Sequence, residues 1–191
     1  MTQVRAFAAP ALLALVLGGC AGAQLPALEQ TLAAQDSATA ALGQWCAARH
    51  LAEPARITAR PAYDADAPPP ADLRQLLGAT TNDGIGYRHV RLSCGPVVLS
   101  EAHNWYLPSR LTLAMNTALT TSDTPFGTVV APLHFTRQRL DSRRGAAPGC
   151  PARTILSHRA RLRLPDGRPL ALVVECYTPA NLARPSHTSP R

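Results

Sequence analysis

The sequence predicts an α+β fold: a single antiparallel β-sheet of about six strands with helices packed on one face. Three observations lead there. In the stretch 25–50, Leu25, Leu28, Leu32, Ala38, Leu42 and Cys46 stand near helical spacing. From Tyr87 onward apolar and polar residues alternate with the period of two expected of half-buried strands. The segment 155–179 reads as one long hairpin around Pro165-Asp166-Gly167. Strands that pair antiparallel and bury one face under helices give this architecture.

The chain opens with Arg5, an apolar run from Ala6 to Leu17, and then Leu17-Gly18-Gly19-Cys20. A charged start, a short apolar run and small residues before a cleavage point describe a secretory signal. The run is too short for a permanent membrane span, which takes about 20 residues. Leu17 to Cys20 resembles the bacterial lipobox, which implies that residues 1–19 are a lipoprotein signal peptide and that Cys20 becomes an acylated membrane anchor. Several acyl chains on one residue exceed what stable attachment needs. Ala21 is not acidic, which in such lipoproteins implies the periplasmic face of the outer membrane. Residues 20–182 are then expected to form a single domain, with a disordered tail over 183–191.

The elements follow in order. One or two amphipathic helices cover 25–50, with Gly43 as a possible break. Arg56 to Tyr63 carries Pro61 and suits a short edge strand. Pro68, Pro69 and Pro70 mark a loop, and a short helix over 71–77 ends at Gly78. Val90, Leu92 and Cys94 alternate with Arg91 and Ser93 in a strand, Gly95-Pro96 turns the chain, and Val97 to Leu107 returns until Pro108 stops it. Ser109 is a candidate cap for a helix in which Leu111, Met115 and Leu119 share a face. Thr128 to Arg139 is expected as a strand interrupted near Pro132, and Asp141 to Pro151 as a polar loop. In the closing hairpin a three-residue turn with left-handed Gly167 places Leu162 opposite Leu170 and Leu156 near Cys176. That register gathers Leu170, Leu172, Val174 and Cys176 on one face, and Arg159, Arg161, Glu175 and Tyr177 on the other.

Composition narrows the function. The chain is 191 residues with a formal net charge of +7, a length that suits one domain. All 19 basic residues are arginine. They are dispersed, and aromatic residues make up 5%, so the basic stripe with stacking aromatics that nucleic-acid binding needs is missing. A basic balance then points to a membrane surface or an acidic small molecule. With Cys20 used as an anchor, Cys46, Cys94, Cys150 and Cys176 remain, an even number that favours two disulfides in an oxidising compartment. Three pairings are open. The hairpin, by bringing the chain before Leu156 beside Cys176, favours Cys150–Cys176 and leaves Cys46–Cys94.

Several residues taken together resemble chorismate lyase. They are a strand ending Leu92-Ser93-Cys94-Gly95, a return strand leading to Pro108, Thr124-Pro125-Phe126-Gly127, Thr136-Arg137, and the hairpin from Arg159-Ala160-Arg161-Leu162-Arg163-Leu164 to Glu175 and Pro179. The resemblance covers roughly the last hundred residues and implies the chorismate lyase-like fold, with an enclosed pocket and no metal or cofactor. It carries a glutamate near the end of the last strand over to Glu175. The family's arginine four residues before the proline falls at Asn104, which offers one neutral amide in place of a charged fork. The expectation is a diverged, non-catalytic relative that binds a small organic or aromatic acid. Asn104, Glu175, Arg159, Arg161 and Arg137 are its candidate ligand-binding residues; Arg159 or Arg161 partners Glu175, and Arg137 compensates for Asn104 if it points inward. The alternatives are an active lyase releasing 4-hydroxybenzoate and pyruvate, and an envelope lipoprotein acting through a protein partner. Glu101 and His103 share a strand face with Trp105 and have the chemistry of an acid–base pair or of two metal ligands. No third ligand has a recognisable spacing, so no metal is expected. The chain holds no Gly-x-Ser-x-Gly elbow, phosphate-binding glycine loop or H-E-x-x-H.

Overall fold

The computed structural model describes residues 23–62 and 67–183. The expected signal peptide, Cys20 and residues 184–191 of the tail expected over 183–191 lie outside the described residues. Helices α1 (Gln24–Ala33) and α2 (Ala38–Ala48) come first, then strand β1 (Ile57–Pro61), helix α3 (Leu73–Leu77), and strands β2 (Gly86–Cys94) and β3 (Val97–Tyr106). Helices α4 (Leu113–Thr121) and α5 (Phe126–Val129) follow, and strands β4 (Thr136–Arg144), β5 (Leu156–Arg163) and β6 (Pro169–Tyr177) close the chain. All six strands form one antiparallel sheet in the order β1-β2-β3-β6-β5-β4. Two three-stranded meanders are joined through their last strands, so β3 and β6 occupy the middle.

Local chemistry explains where several elements begin. The break between α1 and α2 falls before Ser37 and not at Gly43, because the Ser37 hydroxyl accepts the Ala40 N–H at 3.3 Å and caps α2. The cap of α4 is Thr112, whose hydroxyl accepts from Met115 N at 3.2 Å, and not Ser109. Residues 128–133, expected as part of a strand, fall instead in short helical turns: Pro125 precedes α5 and Pro132 sits at the start of a 3₁₀ turn. A proline lacks the N–H that a strand ladder needs but costs nothing at a helix start. Strand β4 therefore starts only at Thr136 and runs to Arg144, into the stretch expected to be loop. Pro61 ends β1 at the sheet edge, and Gly78 closes α3 in the left-handed conformation at φ 57°.

The core has two sides. Leu28, Leu32, Leu42 and Cys46 pack with Val90, Leu92, Leu99 and Ala102, while Leu119, Phe126 and Val130 pack on Ala160, Leu162, Ala171 and Val173. On the opposite face α3 sets Leu73 and Leu77 against Trp105, Leu172, Val174 and Cys176. The central strand β6 is consequently buried along both faces. Each such leucine or valine contributes roughly 1.5–3 kcal/mol by leaving water.

The closing hairpin corrects one expectation. The turn is the expected one, with Gly167 at φ 84° and Leu164 N–H donating to Arg168 O at 2.9 Å. The ladder then slips by one residue between Leu162 and Arg163, so Leu162 faces Ala171, His158 faces Glu175 and Leu156 faces Tyr177. Pro169 has no N–H for the ladder, and the extra residue that results, Leu170, gives its carbonyl to Leu107 N–H at 3.3 Å. A one-residue slip moves every later side chain to the other face. Glu175 and Tyr177 thus share a face with His158 and Leu162, not with Arg159 and Arg161.

Disulfides join Cys46 to Cys94 and Cys150 to Cys176. The first ties α2 to β2 and the second ties the β4–β5 loop to β6. By the entropy of the loops they close, 48 and 26 residues apart in sequence, each contributes roughly 3–4 kcal/mol. Among the described residues no helix is long and apolar enough to cross a membrane.

Candidate functional site

Glu175 lies on β6 under the helices, opposite Ala102 of β3 and His158 of β5. Its residue is 5% exposed, so its charge needs a partner. The partner is Arg137, which reaches inward from the edge strand β4 over β5. Arg137 Nη1 donates to Glu175 Oε1 at 2.9 Å and Nη2 to Oε2. The Tyr177 hydroxyl donates to Oε2 at 2.9 Å, and the Arg137 backbone N–H is held by Asp36 Oδ1 at 2.9 Å. Burial alone would push the Glu175 carboxyl up, but the Arg137 charge and hydrogen bonds, helped by His158 and Tyr177, hold it below the usual carboxylate value. Burial likewise opposes the Arg137 charge, and Glu175 overcomes it and raises the guanidinium further. Tyr177, buried beside a carboxylate, is pushed well above its ordinary value. The site therefore presents a fixed cation, a fixed anion and a neutral phenol.

His158 completes the cluster, its ring meeting Tyr177 edge-on at 5.3 Å between centroids. Burial pushes its pKa down to about 4, against the pull of Glu175 and with Arg139 and Arg137 adding to the fall. Its Nδ1 has no hydrogen-bond partner among the described residues, so a proton there would gain little.

Above the ion pair lies a cavity of about 30 Å³ walled by Val90, Asn104, Phe126, Phe135, Arg137 and Glu175. That holds on the order of two water molecules, and an aromatic acid would have to widen it. Asp36, Ser37, Thr39, Gly127 and Phe135 also line an outer cleft of about 620 Å³, which makes the α1–α2 turn and α5 the partition between outer and inner space. The partition is tight: a Cβ on Gly127 would stand 2.6 Å from the Ser37 hydroxyl.

Of the candidate residues, Asn104, Arg137 and Glu175 converge on this cavity. Asn104 Nδ2 donates to Arg88 O at 3.4 Å. Arg159 and Arg161 do not join them; both lie on the opposite face because of the register slip. Arg159 pairs with Asp72, and Arg161 donates to Gln138 Oε1 at 2.7 and 3.2 Å. Glu101 and His103 share that opposite face with His89, whose Nε2 is 2.9 Å from Glu101 Oε1. Asp36, Ser37 and His158 are site residues the sequence did not single out. The only sequence signal for the first two is that Asp36-Ser37 is a helix-capping pair.

No protein-family model matches the chain. Over 175 residues it is 41% identical to the uncharacterized protein y4mC of Sinorhizobium fredii, covering 82% of this chain and 74% of that one. PhnF from Mycobacterium smegmatis has a similar structure, with a TM-score of 0.53 at 12% identity over 78% of this chain and 67% of that one. The effector domain of the same protein gives 0.50 at 13% identity over 75% and 89%. At such identities the likeness concerns the fold, which is the chorismate lyase-like α+β fold.

Two expected outcomes come from the ion pair and its neighbour. Arg137→Met leaves Glu175 buried without its cation and lowers the unfolding free energy by about 3–5 kcal/mol; adding Glu175→Gln restores part of it, as urea titration of both variants would show. His158 is 2% exposed, and its depressed folded-state pKa makes folding stability complete above its unfolded value near 6.5. That stability is lost as pH falls toward about 4, amounting to roughly 3 kcal/mol. His158→Phe should flatten the fall in thermal midpoint over this window, leaving the later loss from Glu175 that begins in the carboxylate range. An unchanged slope would assign the acid sensitivity elsewhere.

Proposed function

The chain belongs to the family of the Sinorhizobium fredii protein y4mC, and we propose that it is a non-catalytic binding protein for a small organic or aromatic acid. The observation that carries this reading is the buried Arg137–Glu175 pair at the inner end of a partitioned cleft. A ligand carboxylate needs a positively charged fork, and Arg137 supplies it from β4 where Asn104 on β3 does not. Glu175, held ionised, accepts hydrogen bonds only, so it favours an acid that also carries a hydroxyl or amino donor. Val90, Phe126 and Phe135 suit an apolar or aromatic body. Entry requires the α1–α2 turn to part from α5, and the Asp36 contact to the Arg137 backbone lies at that turn. Neighbours of the same fold include an effector domain, that of PhnF, which agrees in kind with a binding role.

The same proposal sets the domain in the cell envelope, as one unit following a signal peptide over residues 1–19 and anchored by lipid on Cys20. Its support is Leu17-Gly18-Gly19-Cys20, with two disulfides compatible with an oxidising compartment.

Thermal-shift and calorimetric titration of the purified protein with 4-hydroxybenzoate and related hydroxy and amino acids should give saturable binding that Arg137→Met abolishes. Native mass spectrometry should find a retained acid. Release of 4-hydroxybenzoate from chorismate, lost on Glu175→Gln, would replace the reading with an active lyase; no binding across the panel and no retained mass would reject it. The anchor is checked separately: Cys20→Ala should move the protein out of the membrane fraction, and continued detergent-sensitive pelleting would exclude the lipid.

A further inference from the structure

Strands β2 and β3 carry a second polar cluster on the face away from the ion pair. His89 and His103 stand directly opposite each other in the ladder, and Glu101 lies two residues along from His103. The histidines are 6% and 1% exposed, and the Glu101 side chain is 12% exposed. One ligand-capable atom from each of the three lies within 4.8 Å of the others. In a tetrahedral zinc site, bonds of about 2.0–2.2 Å put neighbouring ligand atoms roughly 3.4 Å apart. Small side-chain rotations therefore bring the set to coordinating distance.

The surroundings of His103 fit this better than they fit a packed polar patch. Its Nε2 is 3.1 Å from Gly149 O. A carbonyl can only accept, so Nε2 carries a proton, and in the neutral ring Nδ1 is left with the lone pair. Metal-bound histidines are held in this way, with the far nitrogen donating to a backbone carbonyl. The carbonyl is itself anchored, since Cys150 next to it is bonded to Cys176. Nδ1 accepts from the Tyr87 hydroxyl at 2.8 Å, a contact that a metal ion would replace. The Glu101 carboxylate is shared between His89 and Arg91, whose Nε lies 3.4 Å away. The Arg91 side chain is 41% exposed, and its contact is the longer of the two. The two imidazoles stack with centroids 4.1 Å apart, and coordination requires one to turn about its χ angles.

We propose that His89, Glu101 and His103 bind one divalent first-row transition-metal ion of the zinc class, with an open coordination position toward the proline-walled cleft. Two imidazoles and a carboxylate select such ions over calcium or magnesium, which prefer oxygen ligands alone. The opening is set by position: His103 and Trp105 form one wall of a cleft of about 570 Å³, with Pro68, Pro69 and Pro70 on the other. Three protein ligands beside open space are the arrangement of an exchangeable site, with water or a ligand in the fourth position.

The test uses the whole purified protein, stripped with a chelator and titrated with Co(II) while its visible absorption is followed, then with Zn(II) in competition. One equivalent of Co(II) should bind, give the intense bands of a low-coordinate site, and be displaced by Zn(II). Glu101→Gln and His103→Asn should each weaken binding by more than about 10-fold, the lower end of what losing even a residue that only supports a metal ligand does. Tyr87→Phe, which removes only the competing hydroxyl, should keep the site. Zn(II) should also shift the ring ¹⁵N resonances of His89 and His103 in the unmutated protein, a readout independent of how well the variants fold. No saturable Co(II) binding, or binding that leaves those resonances in place, overturns the proposal. It stands apart from the acid-binding reading, because Arg137 and Glu175 lie across the sheet.

Discussion

A carboxylate at the centre of the sheet's most buried strand is the constraint around which the rest is arranged. Glu175 is covered by helices on its own side and flanked by strands on both edges, so bulk water cannot solvate it. The energy of leaving it alone is several kcal/mol, as for any buried unpaired ion. Arg137 meets it from two strands away. That reach is possible because β4 is an edge strand whose neighbour β5 presents the small Ala160 and the neutral His158 on this face. Asp36 then fixes the Arg137 backbone to the α1–α2 turn, and Tyr177 donates to a third lone pair of the carboxylate. Several elements are thus positioned by the demand of one side chain.

Strand β3 shows how one sequence stretch serves two faces. In Val97–Tyr106 successive residues point to opposite sides, and β3 sits in the middle of the sheet, so neither side is solvent. Asn104 and Ala102 face the helices and the ion pair. Glu101, His103 and Trp105 face the proline-walled cleft. Polar residues on a doubly buried strand must all be satisfied within the protein, and both sets are: Asn104 by the Arg88 carbonyl, His103 by Tyr87 and Gly149. The two proposed sites are separated only by the thickness of the sheet, yet they share no side chain.

Much of the fold was legible because it depends on short-range pattern. The helices before residue 50, the Pro61 edge strand, α3 with its Gly78 stop, the β2–β3 hairpin and the Gly167 turn all follow from periodicity and turn chemistry. What failed depends on choices that pattern leaves degenerate. The stretch 128–133 has β-branched residues and yet folds as short helical turns, since Pro125 and Pro132 suit helix starts better than a ladder. Gly43 has the weak helix propensity of any glycine, but the capping hydroxyl of Ser37 decides where the helix breaks. The slip at Leu162 and Arg163 was the costliest, because a single bulged residue reassigned Glu175 from one face to the other and with it the identity of its arginine. Arg137 was visible as a candidate; that it points inward is a tertiary fact, set by a register no local pattern encodes. His89 likewise became a partner of Glu101 and His103 only through strand pairing.

The position of the charge also bears on how a pocket of this kind would work. In the chorismate lyase pattern the arginine belongs to the return strand, in the rigid middle of the sheet. Here Asn104 occupies that place, and the guanidinium comes from the sheet edge on the residue whose backbone is tied to Asp36. An arginine rooted at an edge and fastened to a turn between two helices can shift when that turn shifts, whereas one rooted in β3 is held by ladder hydrogen bonds on both sides. Opening the partition between the outer cleft and the 30 Å³ cavity would move the Asp36 contact and loosen Arg137 at the same time. If the cavity admits an acid as proposed, entry of that acid and release of the Arg137 charge from Glu175 would be one motion. An arginine fixed in the middle of the sheet would have to exchange its partner without any such coupling.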